Sequence, residues 1–328
     1  MCPVIRCSIG TAKVLGLKNI KSDTLPTTAY LMVGEHCKFN CAFCAQARES
    51  GARTDMLSRV VWPEFRTNEV IQGLQTPEAQ KVMRRVCLQV VQEGKALDET
   101  KSLVTIIKKE RPNLPICVSA GPRSLEEIEE LLRQGVDRVS LALDAATPEV
   151  FALSKDGSWE SRYELLVEAA CQFPGHIGTH LIVGLGESEE DMVKMIQDMY
   201  DRGITAALFA FTPVKGTRMG NSPKPALNHY RRIQAAHYLI RKNYARSEEF
   251  KFRDGKLTGF PLPLEKLRDC LAQGEAFQTS GCPGCNRPYY NESPGEELYN
   301  YPRPLTQEEV ERSWQEVISG LEQTGAEK

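Results

Sequence analysis

Short apolar runs rich in β-branched residues recur along this chain. Between them, apolar residues return every three or four positions, the spacing of one helix face. The runs predict strands over Ala29–Val33, Arg85–Val91, Ile116–Ser119, Arg138–Leu143, Ile177–Val183 and Ala206–Phe211. Ser124-Leu-Glu-Glu127 reads as a capping box, Leu125, Ile128, Leu131 and Leu132 share a face, and Gly135 marks the stop. The next helix begins near Ser188, turns Met192, Val193, Ile196, Met199 and Tyr200 inward, and ends at Gly203. Strand then helix, six times over, predicts parallel strands with right-handed crossovers. Leu181-Ile-Val183 and Ala206–Phe211 are apolar at consecutive positions, as in strands covered on both faces. The fold expected is α/β, a partial or full (β/α) barrel with a C-terminal extension, which puts the chemistry on loops after the strands' C-terminal ends.

Past about residue 215 the pattern changes. Pro223 and Pro225 interrupt it, a helix is expected at about Leu227–Tyr244, Asp254-Gly255 marks a hairpin, and residues 270–304 are rich in Gly, Pro and Tyr. A last helix opens with the capping box Thr306-Gln-Glu-Glu309 and presents Val310, Trp314, Val317, Ile318 and Leu321. The expected organisation is an N-terminal segment 1–24, a barrel core 25–220 and an extension 221–328, with no internal repeat and no low-complexity tract.

Charge and length add exclusions. With 41 Lys+Arg against 43 Asp+Glu the net charge is −2, which argues against nucleic acid as the main partner. No apolar run approaches the 18 residues or so of a membrane span. The eleven cysteines are far too few for a disulfide scaffold, and Met1-Cys2-Pro3-Val4-Ile5-Arg6-Cys7 lacks the apolar centre of a secretory signal. A cytoplasmic, reducing location is expected, with clustered cysteines as metal ligands.

His36-Cys37-Lys-Phe-Asn-Cys41-Ala-Phe-Cys44 directly follows the first strand. Three thiols spaced C-x3-C-x2-C on one loop can hold three corners of a cubane iron–sulfur cluster and leave the fourth iron open. Zinc sites favour paired C-x2-4-C arms, and the loop is too polar for a core segment. The motif, its aromatic before the last cysteine and its place after strand one resemble the radical S-adenosylmethionine (SAM) superfamily over roughly residues 25–220. The resemblance implies a [4Fe-4S] cluster on Cys37, Cys41 and Cys44. SAM would chelate the open iron, and reductive cleavage of its sulfonium would release methionine and a 5′-deoxyadenosyl radical. Phe43 would lie near the adenine.

Ser140-Leu-Ala-Leu-Asp144 is similar to the biotin-synthase branch, in which the aspartate holds the SAM ribose, although Ala142 stands where that branch has Asn. Gly184-Leu-Gly-Glu187 and Pro213-Val-Lys-Gly-Thr217 also resemble it, implying close backbone approach at Gly184, with Phe211 a candidate adenine wall. The family's G-G-E is replaced by Gln92-Glu93-Gly94. Biotin synthases hold a second cluster through cysteines on strands two, three and five plus an arginine. Cys87 and Cys117 match the first two, but Gly178 stands at the third, so Cys87, Cys117 and Cys171 are read as packing residues.

Cys282-Pro-Gly-Cys285 can aim two thiolates at one metal site. Cys2 and Cys7 are the expected complement, with Cys270 or Ser280 as alternatives, which would make a second, auxiliary [4Fe-4S] cluster. Lipoyl synthases resemble this logic, since they consume such a cluster as sulfur donor, and the nearest likeness is to one component of a two-protein lipoyl synthase. That implies a sulfurtransferase acting on an octanoylated lipoyl carrier domain, a possible second radical SAM protein, and an electron donor such as ferredoxin or flavodoxin. A small-molecule radical SAM enzyme and a non-catalytic iron–sulfur or zinc protein are the competing readings. Arg231, Arg232, Arg241, Lys242 and Arg246 form a basic stretch that could meet an acidic partner.

Overall fold

The computed structural model describes residues 3–292 and 295–322. The strands are β1 (Val4–Cys7), β2 (Thr28–Val33), β3 (Met56–Leu57), β4 (Val60–Val61), β5 (Glu64–Arg66), β6 (Arg85–Val90), β7 (Ile116–Ala120), β8 (Arg138–Leu141), β9 (Ile177–Val183), β10 (Thr205–Ala210), β11 (Lys251–Arg253) and β12 (Lys256–Gly259). The helices are α1 (Ile9–Val14), α2 (Thr67–Gln75), α3 (Pro77–Val82), α4 (Ala96–Glu110), α5 (Leu125–Arg133), α6 (Pro148–Ser154), α7 (Trp159–Gln172), α8 (Glu189–Asp201), α9 (Leu227–Arg241), α10 (Leu264–Leu271) and α11 (Gln307–Ile318). One sheet runs β10-β9-β8-β7-β6-β2-β1-β5, in which β2 and β6 to β10 are parallel and β1 is antiparallel to both β2 and β5. The six parallel strands form a partial barrel of the expected kind.

Strand alternation decides what faces the barrel interior. Along β2, Leu31 and Val33 join the large core beneath the helices, whereas Tyr30 and Met32 pack with Trp62 and Val91 on the inner side. The expected helix starts are present: the Ser124, Ser188 and Thr306 side chains each accept from the backbone N–H three residues on. β8 stops at Leu141, two residues short of expectation. Thr179 Oγ1 accepts from Leu143 N, and Asp144 then takes φ +65° in an isolated bridge to Leu181, so the chain leaves the ladder just where it delivers a carboxylate.

The extension seals the sheet's open side. The β10 edge would otherwise expose unpaired backbone groups. Ser280 Oγ accepts from Leu208 N (2.8 Å), Arg287 donates to Leu208 O (3.3 Å), and Asn291 Nδ2 donates to Ala210 O (2.6 Å). Below, the Cys282–Cys285 turn closes the end where the strands begin: Thr27 Oγ1 donates to Gly284 O, and Arg85 donates to Pro283 O. The hairpin of β3 and β4, which the pattern did not suggest, docks on this strap through Ser58 Oγ to Tyr290 O. Two basic residues expected at the surface lie inside. Arg231 is bound by Glu316 and the carbonyls of Leu298 and Tyr299, and Arg232 by Glu189 and Ser319 O, so α9 is a buried strut and offers no basic face there. No helix among the described residues is long and apolar enough to cross a membrane.

Candidate active site

A single cavity runs through the barrel interior with thiols at both ends. At the C-terminal end of β2, Cys37, Cys41 and Cys44 line its wall uncrosslinked. The loop is pinned from outside: Ala42 N donates to Ser154 O (2.7 Å), Asn40 N to Asp156 (2.8 Å), and Met219 N to Ala42 O (2.9 Å). Burial pushes the Cys44 thiol up to about 12 and also raises Cys41, the neighbouring thiols adding to both. Such thiols ionise only against positive charge, which an iron cluster supplies. Three thiols on one wall fit a cubane with an open corner. Among the described residues no group of three or more His, Cys, Asp or Glu is arranged to hold a single metal ion.

Asp144 lines the cavity beside this loop, its carboxylate paired with Lys155, whose ammonium also donates to Ala142 O. Phe43 and Phe211 also line the cavity, as does Gln92 from the segment that replaces G-G-E. Gly184 does not line the cavity. Its φ is +102°, its N–H donates to Glu187, and a Cβ there would meet the Pro225 ring at 2.9 Å, so this glycine serves the turn after β9 and not a ligand. His180 projects between the two ends against the Phe209 ring, and burial lowers its imidazole to about 4, leaving it neutral at physiological pH.

The closed end differs from expectation. Cys87, Cys117, Cys282 and Cys285 all line the same cavity, with Cys117 Sγ 3.2 Å from Cys282 Sγ and Cys285 Sγ 3.1 Å from the Tyr30 hydroxyl. Arg85 donates to Cys117 (2.9 Å) and Gln89 to Cys87 (3.0 Å). The hydrogen bond from Cys117 holds the Cys282 thiol down at about 6 despite burial, with Arg85, Arg138 and Arg287 adding positive charge. Four thiols around one inner space, with three guanidiniums to offset them, fit an anionic iron–sulfur cluster.

Several expected roles change accordingly. Cys87 and Cys117, expected as packing residues, line the cavity. Cys7 pairs with Leu31 on the outer face of the sheet, fully buried in the core on the side away from the cavity, so it cannot complement Cys282 and Cys285. Cys2 lies outside the described residues. Ser280 is engaged with Leu208 N, Cys270 packs on the outer core, and Cys171 is exposed instead of packed.

The fold and the three-cysteine loop point to one class, and comparison with known proteins agrees. The model of the radical SAM superfamily matches residues 31–199, just over half of the chain. The chain belongs to the radical SAM superfamily, on its biotin-synthase-like branch. A biotin synthase of Desulforudis audaxviator is 26% identical over 254 residues, covering 75% of this chain and 74% of that protein. One from Aquifex aeolicus is 26% identical over 195 residues, covering 57% and 55%. Among solved structures, methylornithine synthase aligns with TM-score 0.54 at 17% identity, covering 66% of this chain and 62% of that one. The FeFe-hydrogenase maturase HydG of Carboxydothermus hydrogenoformans aligns with TM-score 0.50 at 20% identity, covering 74% and 56%. At these identities the structural likeness establishes the fold.

Proposed function

We propose that this radical SAM enzyme inserts sulfur into an octanoyl chain carried on a lysine of a lipoyl carrier domain, with an auxiliary [4Fe-4S] cluster held by Cys87, Cys117, Cys282 and Cys285. The observation that carries the reading is the placement of four thiols at the closed end of the cavity whose other end holds Cys37, Cys41 and Cys44. When bound, the first cluster with SAM supplies a 5′-deoxyadenosyl radical and the auxiliary cluster supplies sulfide.

The chain's own residues bind, orient and exclude. Asp144, fixed by Lys155, presents oxygens that suit two ribose hydroxyls, and Phe43 and Phe211 offer flat apolar surface for an adenine. Tyr30, Met32, Trp62 and Val91 make the inner wall between the two ends largely apolar. Such a wall suits an unbranched acyl chain and keeps water from a radical. The hydrogen bond from Cys117, with Arg85, Arg138 and Arg287 adding positive charge, favours the thiolate of Cys282.

Insertion into a small molecule is the second reading, favoured by the relatives' name. Only Cys87 and Cys117 match the ligands of that branch, however, and the strap supplies the other two. The test is anaerobic reconstitution followed by mass spectrometry of an octanoyl-lysine peptide incubated with SAM and reductant. About eight irons per chain and sulfur gain on the peptide are expected, while the double variant Cys117→Ala/Cys282→Ala should hold about four irons, cleave SAM and add no sulfur. Eight irons retained in that variant would overturn the ligand set. Sulfur addition to dethiobiotin but not to the peptide would favour the second reading.

A further inference from the structure

A second cavity, of about 380 Å³, lies between the Cys282–Cys285 turn and α9. Gly281, Cys282 and Cys285 line both this cavity and the one inside the barrel, so a single turn of chain separates the two. His237 and Arg241, four residues apart and therefore on one face of α9, form part of its wall, and exposed Glu275 and Arg303 lie at its rim. The radical chemistry of the barrel uses none of these residues.

His237 is 7% exposed, and its ring forms no hydrogen bond or ion pair among the described residues. Burial, with Arg241 adding to it, lowers the imidazole to about 3, so the ring stays neutral and keeps one N–H to donate. A buried polar ring without a partner is costly unless an occupant of the cavity meets it. Arg241 pairs with no carboxylate among the described residues and lies over the Tyr238 ring at 5.8 Å. The other rim charges are taken: Glu275 by Lys242 (3.2 Å) and Arg303 by Glu309 (2.8 Å). On the inner side of the turn, Arg85 donates to Pro283 O and Arg287 to Ser280 O, so cations flank the turn on both sides. The N–H groups of Gly281, Cys282 and Gly284 have no acceptor among the described residues. Unpaired cations and free N–H groups along one short path favour a small anion and repel a metal cation.

We propose that this outer cavity binds hydrosulfide and passes it to the thiols at the closed end, a supply route that bypasses the substrate cavity. Hydrosulfide brings sulfur already at the oxidation level of a cluster sulfide, so only its proton has to leave and no reductant is consumed. The polar lining is unsuited to an acyl chain, which separates this opening from the route of the substrate. The inference rests on the ligand set Cys87, Cys117, Cys282 and Cys285 proposed above and is independent of the sulfur acceptor.

The test uses the full-length apoprotein under argon and two methanethiosulfonates of similar size, one ending in a sulfonate and the other in a trimethylammonium group. Labelling is followed site by site by peptide mass spectrometry, with exposed Cys171 as the reference for intrinsic reactivity. Relative to Cys171, Cys282 and Cys285 should react about tenfold faster with the anion than with the cation, and added salt should narrow the gap. Arg241→Glu should abolish that preference and leave the labelling of Cys37, Cys41 and Cys44 unchanged. His237→Trp, which fills the cavity, should slow both reagents at Cys282 and Cys285. Supplied with ferrous iron and sodium sulfide, Arg241→Glu should take up its second set of irons several-fold more slowly and reach the same final content. A missing charge preference, or one that survives Arg241→Glu, would overturn the proposal. Unchanged labelling in His237→Trp would do the same, since the thiols would then be reached through the barrel, and so would an unaltered rate of iron uptake in Arg241→Glu. Full iron content in Cys117→Ala/Cys282→Ala would instead remove the ligand set and leave the labelling result standing.

Discussion

The three cysteines of the first loop are legible from spacing alone, and the placement of Cys87 and Cys117 in the barrel interior is legible from strand alternation. In β6 the residues Arg85, Cys87 and Gln89 alternate with Val86 and Leu88, and in β7 Cys117 and Ser119 alternate with Ile116 and Val118. Both cysteines therefore share the polar face, which in a strand covered by helices is the interior of the barrel. In β1 the parity is reversed: Cys7 runs with Ile5 and opposite Arg6. Alternation alone thus admits Cys87 and Cys117 and rejects Cys7. Accordingly, Cys87→Ala should lose auxiliary iron, whereas Cys7→Ala should keep about eight irons and lose about 1 kcal/mol of stability to a small cavity; iron loss in Cys7→Ala would contradict the parity argument. Asp144 allows a second prediction. Its pair with Lys155 is nearly buried, so Asp144→Asn strands an ammonium and should cost about 3 kcal/mol in urea unfolding as well as weakening SAM binding.

At the scale of elements, periodic segments announced themselves and the strap did not. The six parallel strands and the capped helices α5, α8 and α11 follow from hydrophobic period and box residues, with boundaries shifted by one or two positions. Residues 278–292 have no period to read, because several of their backbone groups pair with distant side chains, and the side chains of Ser280, Arg287 and Asn291 in turn bond the backbone of an edge strand far away in sequence. The buried arginines of α9 escape the sequence pattern for a related reason: charge in a helix looks like a solvated face, and only the distant carboxylates Glu189 and Glu316 make it an interior pair. These contacts differ in weight. Thr306→Ala removes one capping acceptor from α11 and should cost about 1 kcal/mol. Glu189→Ala leaves the Arg232 guanidinium unpaired in the interior and frees Leu257 N, and should cost about 3–5 kcal/mol. Chemical denaturation of both variants checks the order; a larger loss for Thr306→Ala would mean that α9 tolerates an unpaired charge.

For the whole molecule, the strap also sets a pH response. Burial raises the Glu292 carboxyl to about 7, even though Tyr299 N and Asn300 N donate toward its ionised form. The folded state then holds a proton that the unfolded state has already released, so stability falls as pH rises from about 4.5 to about 7 and stays flat above. The size of the effect is on the order of 3 kcal/mol at most. Glu292→Gln should therefore raise the urea midpoint at pH 8 relative to its effect at pH 4.5, and an equal effect at both would contradict the assignment. His237 acts in the opposite direction: burial lowers it to about 3, so it withdraws stability as pH falls from about 6.5.

The union of Cys87 and Cys117 with Cys282 and Cys285 also imposes an order on biosynthesis. Cys282 and Cys285 leave the ribosome long after Cys37, Cys41 and Cys44, which emerge close together, so the closed end of the barrel is completed after the three-cysteine loop has been made. On the proposed ligand set, a second cluster is loaded only after the extension has been made, and a product cut short before Cys282 would keep the three-cysteine loop without its counterpart.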